Sequence, residues 1–143
     1  MSSAAEARFR VPTPAAVARV VTVIALDPSC DAIVARLAEG SWRGVTFFPA
    51  SAATDRGGRL IDDIAEGDLA VMVAAAGSDA AAAARIGRAC SDRRVHTATF
   101  VVRTASATDE QVSKTLAQVR PWSLMVVIVS DDHYVEDILR SFR

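Results

Sequence analysis

Lysine is nearly absent: Lys114 stands alone among 16 basic residues, the others being arginine. With the abundance of alanine, this is the mark of a GC-rich bacterial coding bias, so alanine runs carry little meaning of their own. Cysteine is scarce as well, with 2 in 143 residues. Two thiols, Cys30 and Cys90, build no disulfide framework, and their spacing is not that of a metal site. Aromatic residues make up 6%. Trp42 and Trp122 lie just before apolar runs and have no spaced aromatic partners that would form a stacking platform for nucleic acid. Excess charge is also lacking. A net charge of −1 removes any global drive toward nucleic acid or an anionic membrane. The apolar stretch 17–26 is broken by Arg19 and falls far short of the roughly 20 residues that span a bilayer. The first residues place Arg8 and Arg10 before Pro12 and Pro14 with no continuous apolar core, which is not the pattern of a secretory signal. The expectation is a cytoplasmic chain with neither nucleic-acid nor membrane partner.

What is present is a globular balance, 51% hydrophobic and 23% charged, over a length that suits one core rather than two. Residues 1–18 read as a flexible N-terminal arm rich in alanine and proline, and 19–143 as a single α/β domain. The run Val20-Val21-Thr22-Val23-Ile24-Ala25-Leu26 has no polar alternation, as expected of a parallel strand covered on both faces. Asp27-Pro28 then supplies a helix start, with Cys30, Ile33, Val34 and Leu37 on one stripe and Gly40 as the stop. Val45-Thr46-Phe47-Phe48 gives a second strand closed by Pro49. Residues 50–59 read as a loop punctuated by Gly57-Gly58, followed by a short amphipathic turn around Leu60, Ile61 and Ile64 that ends at Gly67. Residues 69–76 predict a central strand, and Ser78 or Asp79 a cap for a helix through Ile86 and Ala89. Residues 97–102 are a fourth strand. Thr108 and Gln111 form a capping box for a helix with Val112, Leu116 and Val119 inward. Residues 122–129 are a fifth strand, and Asp131-Asp132 open a last helix carrying Val135, Ile138, Leu139 and Phe142. Five strands alternating with helices predict a doubly wound, three-layer αβα sandwich of Rossmann-like type, with strand order 2-1-3-4-5.

In such sheets ligands bind beyond the carboxyl ends of the strands, at the switch point between the first and third. The candidate ligand-binding residues are therefore Asp27, Ser29, Cys30 and Asp31 after strand one, and Ser51 after strand two. Gly77, Ser78 and Asp79 follow strand three, and Thr104 follows strand four. Cys30 at a helix start is a candidate reactive thiol or, on the plainer reading, a small buried hydrophobe. Asp131, Asp132 and His133 read as helix caps rather than metal ligands, and no metal is expected. Arg85, Arg88, Arg93 and Arg94 are the densest basic group, a candidate partner patch or a solvated helix face. Asp62, Asp63, Glu66 and Asp68 form a matching acidic group.

The words RVVTVIAL, DAIVARLAEGSWRGVTFF, EGDLAVMVAAAG, HTATFVVRT and LAQVRPWSLMVVIVSDDHYVEDI follow the order of the N-terminal half of the tubulin/FtsZ family, which the chain resembles over about residues 19–140. The resemblance implies a GTP/GDP site at the carboxyl end of the sheet. The departures argue against a competent GTPase. Where the family has a glycine-rich first loop, this chain has Asp27-Pro28-Ser29-Cys30-Asp31. Pro28 removes a donor, and the Asp27 carboxylate occupies the positive helix start that a phosphate would use. The family's GGGTGTG loop falls on Gly77-Ser78-Asp79-Ala80-Ala81, where only Gly77 remains, and its Asn-Thr-Asp falls on Ser51-Ala52-Ala53. The family's acidic catalytic loop is not among these 143 residues.

Other chemistries fail on named residues. A phosphorylatable receiver needs an acceptor aspartate after strand three and a lysine after strand five, where this chain has Ala75-Ala76 and Ser130. No G-x-G-x-x-G follows strand one, and neither G-x-S-x-G nor a P-loop occurs. The expectation is a non-catalytic FtsZ-like domain working in protein association or regulation, requiring no cofactor and with GTP binding weakened or lost. The alternative is a small-ligand or GTP/GDP sensor binding at the ends of strands 1 and 3.

Overall fold

A computed structural model describes residues 20–54 and 59–141. The N-terminal arm, Gly57-Gly58 and Phe142 lie outside the described residues. Five parallel strands, β1 (Val21–Ala25), β2 (Val45–Phe48), β3 (Leu69–Ala75), β4 (His96–Val102) and β5 (Met125–Val129), form one sheet in the order β2-β1-β3-β4-β5. Val21 lies opposite both Val45 and Leu69, Leu69 opposite His96, and Ala98 opposite Met125. The sandwich and the strand order are those the apolar runs predict.

Among the described residues five α-helices connect the strands, α1 (Asp31–Ala38), α2 (Ala50–Thr54), α3 (Arg59–Glu66), α4 (Ala82–Asp92) and α5 (Asp109–Val119), and α6 (Asp132–Ser141) follows β5. The pleat of β3 shows how the layers are made. Val71 and Val73 pack on one face with Val34 and Leu37 of α1 and Val135 and Leu139 of α6. Ala70, Met72 and Ala74 point the other way, toward Leu60 and Ile64 of α3, Ile86 and Cys90 of α4, and Val119 of α5. A strand buried on both faces has no polar alternation, and this is why β3 reads as a continuous apolar run.

Three local readings change. Residues 50–54 are a helical turn rather than loop, because the Ala50 amide donates to the Asp31 carboxylate (2.8 Å), a cap supplied from 19 residues away. Helix α4 begins at Ala82, not beside Asp79. The Asp79 carboxylate accepts from the Ala81 amide (3.0 Å) in a turn that precedes the helix, and α4 has no side-chain cap of its own. Strand β5 begins at Met125 rather than Trp122, since Pro121 favours a 3₁₀ turn over Arg120–Trp122. The Thr108–Gln111 capping box forms with both reciprocal bonds, at 2.9 and 3.1 Å.

The two tryptophans anchor opposite ends of the sheet order. Trp42 donates to the Leu37 carbonyl (2.6 Å), meets Phe47 edge-on with centroids 5.7 Å apart, and carries the Arg140 guanidinium 4.2 Å above its ring. Trp122 lies under Arg88 (5.5 Å) and against Gly87, where an added Cβ would come within 2.5 Å of the Trp122 Cβ. Gly87 therefore permits close approach of α4 to the turn before β5.

Candidate functional site at the carboxyl end of the sheet

The first loop folds around one buried carboxylate. Asp27 caps the 3₁₀ turn Pro28–Cys30: its Oδ1 accepts from the Ser29 amide (2.8 Å) and from the Ser29 hydroxyl, and its Oδ2 from the Cys30 thiol (3.6 Å). Asp27 is itself buried. The helix start is thus filled by the chain's own anion, and a second anion there would meet an uncompensated like charge. Cys30 is fully buried, and its thiol is pushed up to about 12, first by burial and then by the neighbouring Asp27 charge. It stays protonated at neutral pH, which favours the plainer reading of Cys30 as a small buried hydrophobe. Burial pushes Cys90 up to about 11.

The third loop is closed from a different direction. Gly77 has φ +89°, a left-handed conformation that favours glycine at this position. Its amide donates to the Thr115 hydroxyl (3.0 Å), and the Gln111 side chain lies about 3.2 Å from where a Cβ would be. The Ala80 amide donates to Gln118 Oε1 (2.9 Å), while Gln118 Nε2 donates to Asp79 Oδ1 (3.2 Å). Thr108, Gln111, Thr115 and Gln118 recur at three, four and three residues, a polar stripe along one face of α5. Thr115 and Gln118 were not among the expected site residues. Their signal was this polar periodicity on a helix whose other stripe is apolar.

Of the expected site residues, the structure joins the first and third loops through Ser29 Oγ and Ser78 Oγ (3.3 Å), and the first and second through Asp31 and Ala50. Ser51 sits exposed in α2. Thr104 turns to its own loop, sharing a hydrogen bond with Ser106 (3.1 Å). An open hollow of about 390 Å³ lies beside this end, lined by Leu26, Pro28, Ala53, Asp79, Ala82 and Arg85. It offers one cation and one anion, and the Ala81 amide on its wall is already held by Asp79.

The four arginines of the expected patch occupy three surroundings. Arg85 borders that hollow, Arg88 stacks on Trp122, and Arg93 and Arg94 line a depression at the opposite end of the sheet with Gly67, Asp68 and His96. Asp68 accepts from the Val20 amide (3.1 Å) there. Asp131, Asp132 and His133 hold their ligand atoms within 4.8 Å of one another. Asp131 accepts from the His133 amide (2.8 Å) as a helix cap, and Asp132 pairs with Arg36.

No protein-family model matches the chain. No curated protein matches it. Seven solved chains are similar in fold. One is a candidate pilus assembly protein (CpaE) from Burkholderia thailandensis, at 16% identity and TM-score 0.47, covering 85% of this chain and 95% of that one. Another is a candidate pilus assembly-related protein from Burkholderia pseudomallei, at 20% identity and TM-score 0.45, covering 87% of this chain and 89% of that one. Neither of these two is a tubulin or FtsZ chain. Among the described residues, no helix is long and apolar enough to cross a membrane.

Proposed function

We propose that this chain is a non-catalytic, FtsZ-like cytoplasmic domain that acts by protein association or regulation, with its ancestral phosphate-binding end closed by its own side chains. One observation carries this reading. Five amides in loops one to three, those of Ser29, Ala50, Gly77, Ala80 and Ala81, each donate to a side chain of the chain itself. An oxyanion would have to displace Asp27, Asp31, Thr115, Gln118 and Asp79 one by one, and three of these are carboxylates that would repel it.

The test is a thermal-shift and calorimetric screen of the full chain with GTP, GDP and ATP in the presence of Mg²⁺. A nucleotide bound at about 10 μM affinity and supplied at 1 mM would stabilise the fold by about 2.7 kcal/mol. That corresponds to roughly 10 °C for a chain of this size. The expected result is no shift. A clear shift would overturn the closed-site reading in favour of a sensor, for which the hollow beside Arg85 and Asp79 is the available space.

A further inference from the structure

We propose that the β5 edge is a self-association site, at which two copies of this chain pair their β5 strands antiparallel about a twofold axis and continue one sheet into the other. The inference rests on the association reading above and supplies its partner.

Strand β5 is last in the sheet and, among the described residues, pairs only with β4. The segment 122–129 holds no charge, proline or glycine. Natural edge strands are normally guarded by one of these, because a row of unpaired backbone groups is a template for another strand. Apolar side chains stand in the open along this strand and the residue before it: Leu124 is 73% exposed, Ile128 47% and Met125 39%. The opposite edge, β2, is four residues long, is followed by Pro49, and has Trp42 packed on Phe47.

The charges around β5 select a second copy in antiparallel orientation. Arg120 is exposed before the start of the strand, and Asp131 is exposed just after its end. At the acidic end Glu110, in the first turn of α5, adds a second exposed carboxylate, while Asp109 beside it is paired with Arg103 of its own chain (2.7 Å). A twofold axis through β5 brings the basic end of each copy to the acidic end of the other. A parallel arrangement would put like charges together. An isologous interface of this kind needs no second gene product, because the edge complements itself.

Sedimentation velocity on the full chain from 5 to 200 μM tests the proposal. The expected species has twice the 15.1 kDa chain mass. Ile128→Lys should weaken dimerisation at least tenfold with unchanged far-UV circular dichroism. Arg120→Glu, a surface change that spares the core, should weaken it severalfold, and adding Glu110→Arg should restore it. A wild type that stays monomeric, an open-ended aggregate in place of a dimer, or a dimer indifferent to both single variants would overturn the proposal. None of these results bears on the nucleotide screen, so a monomer that binds no nucleotide would leave the closed site standing, and a dimer stabilised by GTP would remove the closed site alone.

Discussion

Gly77, at the carboxyl end of the sheet, gives its amide to Thr115 of α5, whereas Ile128, on the β5 flank, leaves its side chain 47% exposed. The two regions lie on one sheet and are connected by one helix, yet they treat their unsatisfied groups in opposite ways. At the carboxyl end, where parallel α/β sheets ordinarily meet a ligand, side chains from buried Asp27 and Thr115 to exposed Asp79 are spent on backbone amides. Along the flank, where such sheets ordinarily protect themselves, protection is missing. The proposed association site therefore lies away from the fold's usual ligand end and along its side.

The comparison breaks most readily at α5. Thr115→Val combined with Gln118→Leu leaves the Gly77 and Ala80 amides without their side-chain acceptors, and losing two half-buried hydrogen bonds of this kind costs about 1–3 kcal/mol together. Chemical denaturation should show that loss. If the closed end works as described, the double variant also gains weak phosphate affinity, read by ³¹P line broadening. On the flank side, Gly87→Ala forces a methyl against the Trp122 Cβ and should destabilise by about 1–3 kcal/mol. A neutral Gly87→Ala would mean that the turn before β5 is looser than its packing indicates.

Asp27→Ala probes the closed end through a smaller term. Loss of its cap should cost about 1 kcal/mol. Its second consequence appears at alkaline pH. The folded Cys30 thiol is raised from 9.0 to about 12, chiefly by burial and next by Asp27. The unfolded chain therefore gives up this proton first as pH rises, so the stability is intact below pH 9 and is lost progressively between 9 and about 12. Removing Asp27 lowers the folded value and should shrink that alkaline loss, which a denaturation series from pH 8 to 11 reads directly. Smallest of all, Ile128→Lys should change the stability of the monomer by no more than about 0.5 kcal/mol, as exposed substitutions do. A larger loss would show that Ile128 is held within its own chain.

Much of the fold was legible because its signals are local. Ile24, Met72 and Val101 sit in runs whose lack of alternation states that both faces are covered, and Thr108 with Gln111 announces a helix start within four residues. The misread positions depend on residues distant in sequence. Ala50 begins a helical turn because of Asp31, and no pattern within 50–59 could reveal that. The site was half legible for the same reason. Asp27 writes its role into its neighbours Pro28 and Ser29, while Thr115 and Gln118 act on amides 38 residues earlier. Their helical periodicity along α5 was visible; its object was not.

That distance of 38 residues also governs when the third loop becomes ordered. The Gly77 and Ala80 amides have no acceptor until α5 docks, and α5 is made only after the whole of α4 and β4 has been threaded past. Long-range contacts of this kind form late, after the loop-closure entropy has been met. In amide hydrogen exchange these two positions should therefore share the opening free energy of α5 rather than that of their own loop. A pair of protected amides in a surface turn would be the clock hand by which departures of an entire helix are read.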